Sequence, residues 1–108
     1  METTESLGQF EQLVLTAAYL LRGEGYSVTI TDKVAEMSAK RVMLGAVYVS
    51  LDRLERRGLL TSWFGERRPG RGGGKARRYF KITPAGERAL AQTKATAKLL
   101  IDALGELS

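Results

Sequence analysis

Apolar side chains recur at helical spacing in four separate stretches of this chain, three or four positions apart as on one face of a helix. These stretches are residues 7–22, 28–39, 44–57 and from 84 to 104 or beyond. Before the fourth, residues 59–64 are rich in β formers, and residues 77–83 have the two-residue period of a half-buried strand. The pattern predicts three helices, a two-stranded hairpin and a long fourth helix.

Local signals mark the ends of these elements. Gly23 ends the first helix, and Ser27 is the expected N-cap of the second. Gly58 follows the third helix at a position where a left-handed backbone favours glycine. Thr83 and Pro84 start the fourth helix, with threonine as N-cap and proline in the first turn.

The predicted third helix has two different faces. Leu44, Val47, Leu51 and Leu54 form one apolar stripe. The opposite face has small residues early and arginines late: it contains Gly45, Ala46, Val49, Arg53 and Arg56, flanked by Ser50 and Arg57. Small residues allow close approach to base edges, and arginine reaches phosphate or guanine. An ordinary surface helix with a solvated charged face is the alternative interpretation.

Two short helices followed by a more basic third match the order of a helix-turn-helix, in which the later helix enters the major groove of DNA. The link between the second and third helices, residues 40–43, contains Arg41, which we include among the candidate DNA contacts.

The segment between the two predicted strands, residues 65–76, is longer than the roughly two to five residues of a tight hairpin loop. Its candidate DNA contacts are Arg67, Arg68, Arg71, Gly72, Gly73 and Lys75. A projecting cationic tip of this kind suits the minor groove, whose negative potential attracts arginine. A solvated, disordered loop is the alternative, and we expect that state without DNA.

The positive charge of the chain is concentrated. Residues 53–81 contain ten Lys and Arg against two Asp and Glu, a net charge of +8. The whole chain carries +5, from 17 basic and 12 acidic residues, so everything outside this stretch carries −3. Such concentration is typical of a phosphate-binding surface.

Composition excludes several other classes of protein. The chain has 108 residues, enough for one domain, and contains neither cysteine nor histidine. A disulfide framework, a thiol nucleophile, the commonest general base and the commonest metal ligand are therefore missing. We expect no enzyme activity, metal or cofactor. No apolar run reaches the length of a membrane span, and residues 1–6 are unlike a signal peptide, which predicts a cytoplasmic protein.

The fourth helix carries an apolar seam with a seven-residue repeat. The seam consists of Leu90, Ala97 and Leu104, with Thr93, Leu100 and Leu107 as the companion set. The first helix has an apolar face wide enough for burial on two sides, including Phe10 and Val14. Both features favour pairing with a second copy of the chain. The alternative is that the fourth helix folds back on its own domain.

Short motifs along the chain add a family resemblance. They are Leu7-Gly8-Gln9-Phe10-Glu11, Leu44-Gly45-Ala46-Val47-Tyr48, Leu51-Asp52-Arg53-Leu54-Glu55, Gly58-Leu59, Arg71-Gly72-Gly73, Arg78-Tyr79 and Thr83-Pro84-Ala85-Gly86. In this combination and order, over residues 7–95, the chain closely resembles the PadR family of bacterial transcriptional regulators.

The resemblance implies a mostly α, α+β fold: a winged helix-turn-helix DNA-binding domain at residues 1–83, then a C-terminal dimerisation helix at 84–108. It further implies a homodimeric repressor that binds promoter DNA. Tyr48 would contact the DNA backbone, Val49, Ser50 and Arg53 would lie near the major groove, and residues 71–75 with Arg77 would belong to the wing.

Two departures from the family pattern are visible. Met43 stands where serine is common, so the third helix lacks an N-cap hydroxyl worth about 1 kcal/mol. There is no aromatic residue after Phe80, although members that hold flat drugs between aromatic rings at the dimer centre need one there. The existence of a small-molecule effector stays open.

Two non-enzymatic alternatives remain, a winged helix that binds protein and one that binds RNA. The concentrated positive charge argues against the first. The lack of an evident aromatic platform on exposed strands argues against the second.

Overall fold

A computed structural model describes residues 7–65 and 76–108 of the protein. Its elements are α1 (Gln9–Leu20), β1 (Gly25–Tyr26), α2 (Ser27–Ser38), α3 (Leu44–Arg56), β2 (Leu60–Phe64), β3 (Arg78–Ile82) and α4 (Pro84–Ala103). The four predicted helices and both predicted strands are confirmed, with ends shifted by one or two residues. Within the described ranges, none of the helices is both long and apolar enough to span a lipid bilayer.

The sheet has three strands rather than the two that the sequence predicts. Its order is β1-β3-β2, and both pairings are antiparallel. Phe80 of β3 lies between Gly25 of β1 and Ser62 of β2. A strand of two residues is too short to display a period of its own, so no sequence pattern predicts β1. It forms by pairing with the free edge of β3.

The core lies between the helices and one face of this sheet. Its buried members are Leu7, Val14, Leu15, Ala17, Ala18, Ile30, Val34, Val47, Leu51, Leu54, Leu59, Leu60 and Phe80. The predicted apolar stripe of α3 is confirmed for Val47, Leu51 and Leu54, all fully buried. Leu44 is exposed instead, because it is the first residue of α3 and extends past the core.

The predicted end of α3 is confirmed. Gly58 has a φ of 76°, in the left-handed region. Its N–H donates to the carbonyl of Glu55 at 2.9 Å, and the N–H of Leu59 donates to the carbonyl of Leu54 at 3.0 Å. This pair of bonds is the Schellman arrangement, which turns the chain from helix into β2.

The helix starts agree with the sequence in two cases and differ in one. Thr83 caps α4, since its hydroxyl accepts from the N–H of Gly86 at 3.0 Å. Met43 precedes α3 without a side-chain cap from any described residue. Ser27 is not the N-cap of α2: that residue is Tyr26, whose N–H donates to the hydroxyl of Thr29 at 3.0 Å.

Only the start of α4 packs on the rest of the chain. Ala85, Ala89 and Leu90 lie against the core, whereas every residue from 94 to 108 is exposed. The fold-back alternative for this helix is therefore wrong for its second half. Residues 94–108 expose five large apolar side chains: Leu99, Leu100, Ile101, Leu104 and Leu107.

The start of α4 also makes a contact that admits only glycine. A Cβ at Gly86 would collide with the carbonyl oxygen of Leu59 and the side chain of Ile82. Gly86→Ala is therefore expected to lower the free energy of unfolding by about 2 to 3 kcal/mol, measured by chemical denaturation at a fixed protein concentration.

The matched control is Gly45→Ala in α3, where a new Cβ would meet no described atom within 4 Å. Because alanine favours helix over glycine, this change should leave the free energy of unfolding unchanged or raise it by up to about 1 kcal/mol. Equal losses in the two variants would contradict the close contact at Gly86.

Candidate nucleic-acid interface

The side of α3 away from the core presents the predicted recognition residues to solvent. Gly45, Ala46, Tyr48, Val49 and Arg53 are all exposed, and Tyr48 retains 46% of its accessible surface. The face begins with side chains small enough for close approach to a partner and ends with a cation. This geometry suits a helix lying in a groove of a polyanion.

Ser50 does not belong to that face. It is only 6% exposed, which contradicts its prediction as an accessible DNA contact. Ser50 lies three residues after Val47 and four residues before Leu54, so it lies on the buried stripe of the helix. Helical spacing alone was sufficient to reveal this burial.

Carboxylates offset part of the positive charge of α3. Glu11 of α1 lies 4.0 Å from a guanidinium nitrogen of Arg53 and 3.4 Å from one of Arg57. Asp52 pairs with Arg56 at 2.6 Å on the same helix. Arg53 and Arg56 are themselves largely exposed, so each of their pairs contributes about 0 to 1 kcal/mol and a phosphate can replace the carboxylate at small cost. Glu11 is only 12% exposed, and it keeps Arg57 as a partner when Arg53 turns to a phosphate.

Four polar side chains connect α3 to the sheet, and we call them the joint cluster: Tyr48, Glu55, Ser62 and Arg78. The Ser62 hydroxyl lies 2.9 and 2.8 Å from the two Glu55 carboxylate oxygens. Arg78 donates to Glu55 through Nη2, to Ser62 through Nε at 3.0 Å, and to the Tyr48 hydroxyl through Nη1 at 3.5 Å. The arginine that pairs with Glu55 is therefore 23 residues away along the chain.

The surroundings of Arg78 keep it charged. Burial acts to lower the pKa of its guanidinium, but hydrogen bonds to Tyr48 and Glu55, together with the Glu55 charge, outweigh that effect and raise the pKa. The guanidinium also lies 5.0 Å from the centre of the Phe80 ring, which joins the cluster to the core.

A row of aromatic rings crosses the opposite face of the sheet. Trp63, Tyr79 and Tyr26 are direct neighbours on β2, β3 and β1. Trp63 stacks on Tyr79 with ring centres 6.2 Å apart, and Tyr79 meets Tyr26 edge to face at 5.8 Å. Trp63 is 42% exposed. The expectation that exposed strands lack an aromatic platform is therefore wrong, because the unpredicted strand β1 adds the third ring.

Of the remaining predicted DNA contacts, two lie within the described residues. Arg41 is exposed beside the start of α3, and Arg77 is exposed with its guanidinium 4.4 Å above the Tyr26 ring. The other six lie outside the described residues: Arg67, Arg68, Arg71, Gly72, Gly73 and Lys75. A bond from the Gly65 N–H to the Arg77 carbonyl, at 2.7 Å, keeps the two strands together where that segment begins and ends.

The predicted dimerisation residues fall into three groups by their burial in the protomer. Val14 is fully buried inside the protomer, which contradicts its assignment to a surplus face of α1. Phe10 and Leu90 are partly buried against the same core. Ala97, Leu100 and Leu104 are exposed on α4. The seven-residue repeat missed the adjacent Leu99 and Ile101, because it records one seam rather than the whole exposed surface.

Three helices with an exposed third helix beside a β hairpin define a winged helix-turn-helix. The family model of the transcriptional regulator PadR-like family matches residues 17–92. The chain therefore belongs to the PadR-like family, and the protein is a DNA-binding transcriptional regulator rather than an enzyme.

Solved structures of other family members have the same fold. A PadR family transcription regulator from hypervirulent Clostridium difficile R20291 is 21% identical, with a TM-score of 0.74, over 92% of this chain and 97% of that one. A PadR family transcriptional regulator from Eggerthella lenta DSM 2243 is 30% identical, with a TM-score of 0.68, over 89% of this chain and 80% of that one. A search of curated protein sequences finds no match.

Proposed function

We propose that the protein is a homodimeric repressor that binds a specific promoter sequence in double-stranded DNA. The observation that carries the proposal is the exposed face of α3, from Gly45 to Arg53, beside a hairpin whose strands lead into the basic segment 66–75. In this proposal residues 1–83 bind DNA and residues 84–108 form the dimer.

In this proposal the side chains of α3, Arg77 and the basic segment contact different parts of the DNA. Gly45, Ala46 and Val49 let α3 approach base edges in the major groove, and Val49 offers an apolar contact for a thymine methyl group. Arg53 exchanges Glu11 for a phosphate or a guanine, and Tyr48 contacts the DNA backbone. Arg77 and the cations of segment 66–75 reach the adjacent minor groove.

The exposed apolar surface of α4 supports pairing with a second copy. Leu100 and Leu104, 55% and 54% exposed, lie on one side of the helix with Ala97. Exposure of a continuous apolar surface of this kind to water is unfavourable, and a dimer would bury that surface between two chains. A two-fold dimer would present two α3 helices about 34–36 Å apart, one turn of DNA. Promoter occupancy by this dimer would block transcription.

The test begins with selection of bound duplexes from a random DNA pool by the purified protein. We expect one enriched sequence with two related half-sites. Affinity for it should fall with salt, with a log–log slope of about −0.9 per phosphate contacted. Arg53→Gln and Tyr48→Phe should weaken binding without dissociating the dimer. A random pool from which no sequence is enriched, or wild-type affinity in both variants, would refute sequence-specific binding through α3.

The aromatic row supports a second candidate, the binding of single-stranded nucleic acid. Stacked rings on a sheet accept bases without strong sequence preference, and here Arg77 lies beside them. A shallow cavity of about 380 Å³ is lined by Tyr26, Trp63, Arg77 and Tyr79, among others. Competition between the selected duplex and single-stranded RNA decides the matter. RNA that displaces the duplex at equal concentration, and loses this ability in Trp63→Ala, would favour the second candidate.

A further inference from the structure

We propose that Arg78 is a positioning residue that orients the Tyr48 hydroxyl to donate its proton to a DNA phosphate oxygen, without neutralising a phosphate itself. The proposal rests on the proposed DNA-binding function and assigns roles to Glu55, Ser62 and Arg78, none of which the sequence selects as site residues.

The charge of Arg78 is already compensated within the protein. Its Nη2 reaches a Glu55 carboxylate oxygen at 2.5 Å, and the two side chains are 25% and 31% exposed. Nε is occupied by Ser62, which also bonds the same carboxylate. Because a carboxylate lies in contact with the guanidinium, the pair together exerts little net attraction on an approaching phosphate.

The hydrogen-bond direction at Tyr48 follows from the chemistry of the two groups. A guanidinium has donors and no acceptor, whereas a phenol has one proton to donate and also accepts. Since Arg78 donates to the Tyr48 oxygen, the phenol proton points elsewhere. Tyr48 and its neighbour Val49 lie on the exposed face of α3, so an acceptor on a bound DNA can approach the phenol proton there. Phosphate oxygens only accept, and they match a donor there.

The same bonds could instead serve only to hold β3 against α3. A purely structural role predicts that loss of Arg78 acts on stability, and on DNA affinity regardless of the residue at position 48. A positioning role predicts that the Arg78 effect requires the Tyr48 hydroxyl. A direct phosphate contact predicts a lower salt slope after loss of Arg78. These three roles therefore differ in measurable quantities.

The experiment measures affinity for the selected duplex and its salt slope in Tyr48→Phe, Arg78→Gln and the double variant. Each single variant is expected to lose roughly tenfold in affinity. The double variant should lose no more affinity than the single variant with the larger loss. The variant with both Glu55→Gln and Arg78→Gln removes the two charges of the pair together, and its slope should stay within about 0.3 of wild type. Arg53→Gln, the matched control, should reduce the slope by about 0.9 per half-site.

Glu55→Gln provides a readout that a structural role does not move. Loss of the carboxylate releases the Arg78 charge while the amide oxygen still accepts from Ser62 or Arg78. Binding should therefore become more salt-dependent, with a slope steeper by up to about 0.9 per half-site. Melting curves identify any variant that fails to fold. If Arg78→Gln does so, Arg78→Lys, which keeps the charge but not the forked geometry, replaces it in the cycle with Tyr48→Phe.

The outcomes separate this inference from the function on which it rests. Three results would each overturn the positioning role while wild-type binding stands: additive losses in the variant with Tyr48→Phe and Arg78→Gln, a slope reduced by about 0.9 per half-site in the variant with Glu55→Gln and Arg78→Gln, or an unchanged slope in Glu55→Gln. A wild-type protein that binds no duplex would overturn the proposed function, and the inference with it.

Discussion

Replacement of Leu100 and Leu104 by glutamate is expected to convert the proposed dimer to a monomer and to lower affinity for a two-half-site operator by about 10²–10⁴-fold. Both side chains are more than half exposed in the protomer, so the change removes nothing from the core. Four carboxylates at the centre of a dimer interface, two from each subunit, would be desolvated and would repel one another. Sedimentation velocity and a gel shift measure the two effects.

The matched control places the same charges on the other side of α4. Ala91 and Ala95 are exposed and lie opposite Leu100 on the helix, so Ala91→Glu with Ala95→Glu should leave both the dimer and operator affinity intact. A dimer that survives glutamate at 100 and 104 would show that the subunits pair through another surface.

Neutralising three arginines of the basic segment is the second large effect that we expect. The variant Arg67→Gln with Arg68→Gln and Arg71→Gln should flatten the log–log salt dependence by about 2 to 3 per half-site and weaken operator binding by about 10²–10³-fold per half-site near physiological salt. The reason is that each cation releases roughly one counterion equivalent from DNA on contact. Fluorescence anisotropy over a salt series measures both quantities.

The appropriate control removes the same charge elsewhere. Arg88, Lys94 and Lys98 are exposed on α4, and their replacement by glutamine also lowers the net charge of the chain by three. This control should retain most of the wild-type salt slope. Equal flattening in the two variants would mean that net charge alone, rather than contact by residues 67 to 71, governs binding.

Much of the fold was predictable because its signals are local. The apolar period of α3, the left-handed turn at Gly58 and the threonine-proline start of α4 each depend on residues within a few positions of one another. The exposed face of α3 followed from the same period. Ser50 was assigned to the wrong side only because that period was not applied to it, and a helical count from Val47 would have corrected the error.

Contacts between distant residues were not predictable. Strand β1 exists because β3 offers it an edge, and that strand aligns Tyr26 with Tyr79 and Trp63. Charge compensation is equally non-local: Arg78 meets Glu55 and Arg53 meets Glu11 across gaps that carry no sequence signal. A count of charges along the chain treats all these arginines as free and therefore overstates the positive field of α3.

Local sequence was thus sufficient for the order of the four helices and the two hairpin strands, the cationic character of the region from 53 to 81 and the family of the protein, since propensity and periodicity act over a few residues. The third strand, the aromatic row, the joint cluster and the exposure of the second half of α4 required the packed chain. Burial and hydrogen bonding between remote segments depend on how elements pack in three dimensions, which no local pattern records.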